Sequence, residues 1–230
     1  MERRTFESSL SDSTVARARG AITVIAPLAL LAALAYHPHI MFLPSPDAVA
    51  HAVHTDTTRW AIAHWGLGIA CALMALAFLA VRGYLRDAGE NRLSVVALPF
   101  LIFSTTVYAI LPGMEFTVLA AAKTGGDVVA SQQAIDSWFV PTMLIAGLSN
   151  ATGAILLAAA MRRTQVLGTL KPVVVTALYV AAVARLVPIG PVQFYVQGIA
   201  FIVALWPVAL DIRRQLSARG VSAARAMAHG

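Results

Sequence analysis

The sequence predicts an all-α, polytopic membrane protein with six transmembrane helices, and three observations support this fold class. First, 59% of the 230 residues are hydrophobic and only 12% are charged, whereas soluble domains are roughly 45–50% apolar and about 25% charged. Second, six apolar segments are long enough to cross a bilayer. Third, the basic residues lie on alternate connections between these segments, as the chain of a multi-pass protein requires.

A transmembrane helix needs about 20 mostly apolar residues. Six segments of the chain meet or approach this length, and they form one predicted transmembrane domain over residues 20–210. The flanking residues 1–19 and 211–230 are predicted to be tails. The six segments are 20–36, 60–81, 94–114, 138–161, 172–189 and 194–210.

The basic residues predict the orientation of these segments. Fourteen of the 17 lysines and arginines fall in the two tails, in the connection after the second segment or in the connection after the fourth. The positive-inside rule places these regions in the cytoplasm. We therefore expect a multi-pass protein of a bacterial-type plasma (inner) membrane with both termini cytoplasmic. Trp60, Trp65 and Trp138 begin segments at the opposite side, as an aromatic belt at the membrane interface would.

Two longer connections, 37–59 and 115–137, are predicted to face outward, each with a short extracytoplasmic helix. In the first, Ser45 is an N-cap candidate, and the proline after it suits a first helical turn, so we expect a helix over 46–55. In the second, Gly125 and Gly126 break the chain, and the aspartate after them is a candidate cap for a helix ending near residue 135.

Polar side chains within the apolar segments are concentrated in their outer halves, which predicts an outward-facing ligand pocket. Polar groups inside a membrane usually face the helix bundle or water, because exposure to hydrocarbon is costly. We expect Glu115 to pair with Arg185, with snorkelling of the arginine to the outer interface as the alternative. For Asn150 the alternative to a ligand role is a helix–helix contact. The predicted pocket residues are His64, Tyr108, Glu115, Asn150, Arg185, Gln193 and Gln197.

Five of the six histidines lie at or near the predicted outer face, namely His37, His39, His51, His54 and His64. Imidazole is the commonest metal ligand, so these five are candidate metal ligands. Histidine with carboxylate would suit zinc, and histidine with methionine would suit copper. Further candidate ligands are Met41, Asp47, Asp56 and Glu115. A haem held by two histidines is a less favoured hypothesis, and polar residues of a wet interfacial loop are the simplest interpretation.

No motif in the chain assigns a reaction. The patterns HExxH, GxSxG and GxxxxGK[ST] are absent, and the single cysteine, Cys71, excludes an intramolecular disulfide and a CxxC site. We favour a binding or transport-type protein, with a membrane-embedded enzyme acting on a lipid or small molecule from the extracytoplasmic side as the alternative. The bilayer is the expected partner. The basic C-terminal tail suits anionic lipid, although positive-inside bias is the preferred explanation. The net charge of +6 does not indicate nucleic acid.

Overall fold

The computed structural model describes residues 2–38, 40–42, 45–187 and 189–228, with side-chain surroundings for those between 14 and 218. Within these ranges the chain forms seven α-helices and no β-strand. A 3₁₀ turn, Gly168–Leu170, precedes the sixth helix, and a π-helical turn, Val192–Val196, precedes the seventh. The helices are α1 (Glu2–Tyr36), α2 (Pro46–Thr55), α3 (Thr57–Asp87), α4 (Leu93–Thr124), α5 (Val128–Arg163), α6 (Lys171–Ala184) and α7 (Gln197–Ala228).

Five of the described helical segments are long and apolar enough to cross a membrane. They are Thr14–Tyr36, Thr57–Asp87, Leu93–Thr124, Val128–Arg163 and Val192–Ala218. Their outer surfaces carry many exposed large apolar side chains, among them Ile69, Leu148 and Val183. Exposed apolar area on this scale is not typical of a soluble monomer and marks a surface that another apolar phase covers.

The fifth of the six predicted segments, 172–189, forms a shorter helix than expected. α6 has 14 residues and ends at Ala184, with Arg185 as its C-cap. At about 1.5 Å per residue this helix is about 21 Å long, which is less than the roughly 30 Å of a hydrocarbon core. A proline at position 188 disfavours helix in the residue before it. The described residues therefore contain five helices long enough to span a membrane and one shorter helix in the predicted span 172–189.

The helix predicted in the first outer connection is confirmed, and the one in the second is not. α2 begins at Pro46 and ends at Thr55, and it buries Val49 and Val53. In the second region α4 runs on to Thr124, so residues 115–124 are not a loop. The left-handed Gly125 (φ 75°) ends α4, and the Asp127 side chain then accepts a hydrogen bond from the N–H of Ala130. The predicted cap is correct, but α5 continues from it without a break.

Polar contacts join α1, α3 and α7 at one end of the bundle. Arg19 pairs with Asp87 at 2.8 Å, and the hydroxyl of Tyr84 donates to Asp211 at 2.5 Å. Near them, the carboxylate of Glu90 accepts hydrogen bonds from the first N–H groups of α4. Burial disfavours the ionised carboxylate, but these hydrogen bonds outweigh it and hold the pKa of Glu90 below its usual value.

At the other end of the bundle, the backbone of the turn between α6 and α7 is bonded to the segment that follows α1. The N–H of Gly190 donates to the carbonyl of Met41 at 2.9 Å, and Phe42 and Ile189 form an isolated antiparallel bridge. A Cβ on Gly190 would overlap the carbonyl oxygen of Ile40. Glycine is therefore required here by close backbone contact.

We expect Gly190→Ala to lower the free energy of unfolding by about 2 kcal/mol, because the added methyl group forces two backbone segments apart. Denaturant unfolding of the detergent-solubilised protein measures this. The matched control is Gly68→Ala in α3, where a Cβ would meet nothing within 4 Å. Equal effects of the two substitutions would show that the contact at Gly190 is not tight.

Candidate functional site

Three buried side chains, His37, His64 and Glu115, converge near the end of the bundle where α1 ends and α3 begins. Each offers one potential ligand atom, and these three atoms all lie within 4.8 Å of one another. His37 directly follows α1, His64 lies two turns into α3, and Glu115 lies in the second half of α4. Three elements that are far apart in sequence thus bring two imidazoles and a carboxylate together.

The imidazole of His64 lies between a carbonyl and a carboxylate. Its Nδ1 is 2.6 Å from the carbonyl oxygen of Trp60, and its Nε2 is 2.8 Å from Oε2 of Glu115. A carbonyl oxygen only accepts, so Nδ1 carries a proton in this arrangement. A second proton then lies in the short contact between Nε2 and the carboxylate. A metal ion bound at the same place would replace this proton.

The imidazole of His37 is oriented in the same way. Its Nδ1 is 2.9 Å from the carbonyl oxygen of Pro38, so Nδ1 is the donor and Nε2 keeps its lone pair. Aromatic rings hold the imidazole in place. The ring centroids of Trp60 and Phe194 are 5.7 and 5.5 Å from that of His37, and the centroid of His64 is at 4.9 Å.

This orientation of both imidazoles is typical of metal-binding histidines. Such residues usually donate one ring N–H to a carbonyl or carboxylate, which fixes the tautomer and turns the other nitrogen toward the ion. In a tetrahedral zinc site with bonds of 2.0–2.2 Å, neighbouring ligand atoms lie about 3.3 Å apart. The 2.8 Å contact between His64 and Glu115 would lengthen by about half an ångström to reach that spacing.

His37 and Glu115 both line a cavity inside the bundle. Its empty volume, including space that is open to solvent, is about 900 Å³. Most of the wall is apolar and comes from α1, α3, α4 and α7. Polar groups are confined to a few points. The apolar wall includes Leu30, Leu34, Leu67, Met74, Phe78 and Phe201, and the polar lining includes Tyr108, Asn150, Arg185 and Gln197.

The predicted ion pair between Arg185 and Glu115 does not form. Glu115 bonds to His64 instead, and the guanidinium of Arg185 lies 4.1 Å from the centroid of the Tyr108 ring. Two side chains can lie at the same depth in the membrane and still be separated around the bundle. The sequence therefore predicts the depth of Arg185 but not its partner. The arginine lines the cavity together with the tyrosine.

The remaining predicted pocket residues have separate surroundings. Asn150 lines the cavity and donates to the carbonyl of Ala181 at 3.5 Å, so it joins α5 to α6, as the helix-contact alternative states. Gln197 also lines the cavity and is buried. Gln193 is buried in the π-helical turn, and its Oε1 has no hydrogen-bond partner among the described residues. Gln193 is not among the residues that line the cavity.

The other histidine and aspartate candidates among the described residues do not join the cluster. His51 and His54 are exposed on α2, His39 lies outside the described residues, and Asp56 caps α3 by accepting from the N–H of Arg59. Haem between His37 and His64 is disfavoured, since ring centroids flanking an iron would be about 6 Å apart, against 4.9 Å here.

Sequence reasoning missed the role of Trp60. The aromatic-belt prediction places Trp60 at the membrane interface. Its side chain is instead 0% exposed and stacks on His64, with the ring centroids 4.3 Å apart. Trp65 and Trp138 are exposed, as a belt requires. The spacing of Trp60 four residues before His64 on one helix is the signal that would have revealed the contact.

Comparisons with known proteins supply no relative for this site. No protein-family model, no curated protein and no solved structure matches the chain.

We expect strong coupling between His64 and Glu115 in the metal-free protein. Replacing either residue alone leaves a buried polar group without its partner, at a cost of about 3 kcal/mol, and the double replacement costs less than the sum. A double-mutant cycle of His64→Phe and Glu115→Leu, measured by denaturant unfolding in detergent, gives the coupling. Additive effects of the two substitutions would contradict the direct contact.

Proposed function

We propose that this chain is an integral membrane protein that binds a divalent transition-metal ion, best matched by zinc, at the edge of an intramembrane ligand cavity. The observation that carries the proposal is the set of two buried imidazoles and one carboxylate, with Nδ1 of each imidazole held by a backbone carbonyl. The cavity next to these residues suits a binding or transport-type protein.

The ligand chemistry favours zinc over copper. Two imidazoles and a carboxylate form a zinc set found in proteins, whereas soft copper sites use methionine or cysteine sulfur. Met41 is exposed and stands outside the cluster, and Cys71 lines the cavity without belonging to the cluster. The copper hypothesis from the sequence therefore lacks its sulfur ligand.

The proposed setting is a plasma membrane with the basic ends of the helices in the cytoplasm. Arg19 of α1 lies at the same end of the bundle as Asp87 of α3, and Asp211 of α7 is bonded to that end through Tyr84. Both tails then share one side, which supports an even number of crossings with α6 as a short sixth. The metal site then lies toward the other, extracytoplasmic side.

A metal-dependent, membrane-embedded enzyme is the second candidate, and a specific observation favours it. Three protein ligands leave a fourth zinc position free, which is the arrangement of catalytic rather than structural zinc sites. Glu115 both belongs to the ligand set and lines the cavity. The free position would therefore face whatever occupies the cavity. Zinc bound there would polarise that molecule or activate a water molecule.

We expect the purified protein, loaded with zinc and then dialysed, to retain about one zinc ion per chain by inductively coupled plasma mass spectrometry. His37→Gln, His64→Gln and Glu115→Gln each remove a ligand and should weaken zinc binding at least about 10- to 100-fold.

The matched controls are His51→Gln and His54→Gln, because these two histidines are exposed on α2 and stand outside the cluster. They should leave the zinc content unchanged. No retained zinc in the wild type, or the same loss in the control variants, would refute the proposal. Stoichiometric iron or copper in place of zinc would refute the zinc assignment.

A further inference from the structure

Arg185 brings an unpaired positive charge into the cavity. It is the C-cap of the short helix α6, so it lies where the chain leaves that helix and turns toward α7. No carboxylate of the described residues forms an ion pair with it. The nearest acidic residue of the cavity wall, Glu115, is bonded to His64. A cation in an apolar wall is costly unless a partner compensates it.

Two donors at this place have no acceptor. Nε of Arg185 and the hydroxyl of Tyr108 are buried, and neither makes a hydrogen bond of normal geometry to a described residue, although the two side chains interact with each other. The guanidinium stacks on the Tyr108 ring, with Cζ 4.1 Å from the centroid. Stacking compensates part of the charge, but it satisfies neither donor. Unsatisfied buried donors are rare in proteins and call for an explanation such as a ligand.

We propose that the cavity binds an amphiphile whose anionic head group, a carboxylate or a phosphate, is held by Arg185 and Tyr108. A guanidinium offers a planar set of N–H donors that matches both oxyanions. The tyrosine hydroxyl adds a donor beside it. Both side chains line the cavity, and one oxyanion there would accept from both.

The rest of the cavity wall suits the apolar part of such a molecule. Leu30 and Leu34 come from α1, Phe78 from α3, and Phe201 from α7, and all four line the cavity. The ligand gains free energy from removing its hydrocarbon chain from water, and the apolar wall accepts that chain without unpaired polar groups. A small inorganic anion would leave this wall unused.

This inference names the ligand class of the cavity, so it rests on the cavity of the proposed function but not on its metal ion. Arg185 and Tyr108 are not members of the His37–His64–Glu115 cluster. Zinc content and amphiphile binding can therefore fail separately, and each is measured on the same preparations.

The test is native mass spectrometry of the detergent-solubilised protein with three probes that share one acyl chain: oleate, oleoyl lysophosphatidic acid and the uncharged oleyl alcohol. We expect at least one acid to bind at least about tenfold more tightly than the alcohol. The tighter of the two acids identifies the head group as carboxylate or phosphate. Equal binding of the alcohol and both acids would overturn the proposal.

The variants test the site itself. Arg185→Gln should weaken binding of the preferred acid about tenfold or more, Arg185→Lys should restore part of it, and Tyr108→Phe should weaken it several-fold. The matched control is Arg59→Gln. Arg59 also stacks on a tyrosine, with Cζ 5.5 Å from the ring centroid of Tyr36, but it does not line the cavity. An equal loss in Arg59→Gln would overturn the proposal.

Tyr108→Phe keeps the test decisive if Arg185→Gln does not fold. It removes only a hydroxyl that makes no hydrogen bond of normal geometry and keeps the ring under Arg185, so we expect the protein to remain folded and to retain zinc. Unchanged binding of the acid in folded Tyr108→Phe and Arg185→Lys variants would overturn the proposal. Loss of acid binding with unchanged zinc content would support it.

Discussion

The buried contact between His64 and Glu115 is the interaction on which the end of the bundle around the candidate site depends. A carboxylate inside an apolar bundle is costly unless a cationic or donor partner lies beside it. Here the partner comes from the neighbouring helix at 2.8 Å. The pairing joins α3 to α4, and Trp60, one turn before His64, stacks on its ring and packs in one apolar cluster with Val49 and Val53 of α2. The ring of His64 in turn lies beside that of His37, which lines the cavity.

The features that follow from local sequence rules were predictable, and those that depend on lateral packing were not. The cap at Asp127 and the helix from Pro46 follow from local residue preferences, and both are present. The continuation of α4 past Glu115 was missed, because a charged residue after an apolar run resembles the end of a span. The partner of Glu115 was also missed, because hydropathy gives depth in the membrane but no position around the bundle.

The cavity has two chemically different polar regions in an apolar wall. One is the imidazole–carboxylate cluster, whose geometry suits a metal cation, and the other is Arg185 on the Tyr108 ring, whose donors lack acceptors. A molecule that carries an anionic group and a hydrocarbon chain complements the second region and the wall. Such a molecule would lie next to the free coordination position that zinc would have beside Glu115. The binding protein and the enzyme that we propose as alternatives would thus use the same cavity. They differ in whether the metal ion activates the bound molecule or a water molecule.

Zinc-edge X-ray absorption spectroscopy of the zinc-loaded protein tests the central claim most directly, since it reports the atoms bound to the ion. The account predicts a shell of nitrogen and oxygen at about 2.0–2.2 Å with the scattering pattern of two imidazoles. His37→Gln should reduce that pattern to one imidazole. A sulfur ligand at about 2.3 Å, which only Cys71 or a methionine could supply, or an imidazole signal unaffected by both His37→Gln and His64→Gln, would contradict it.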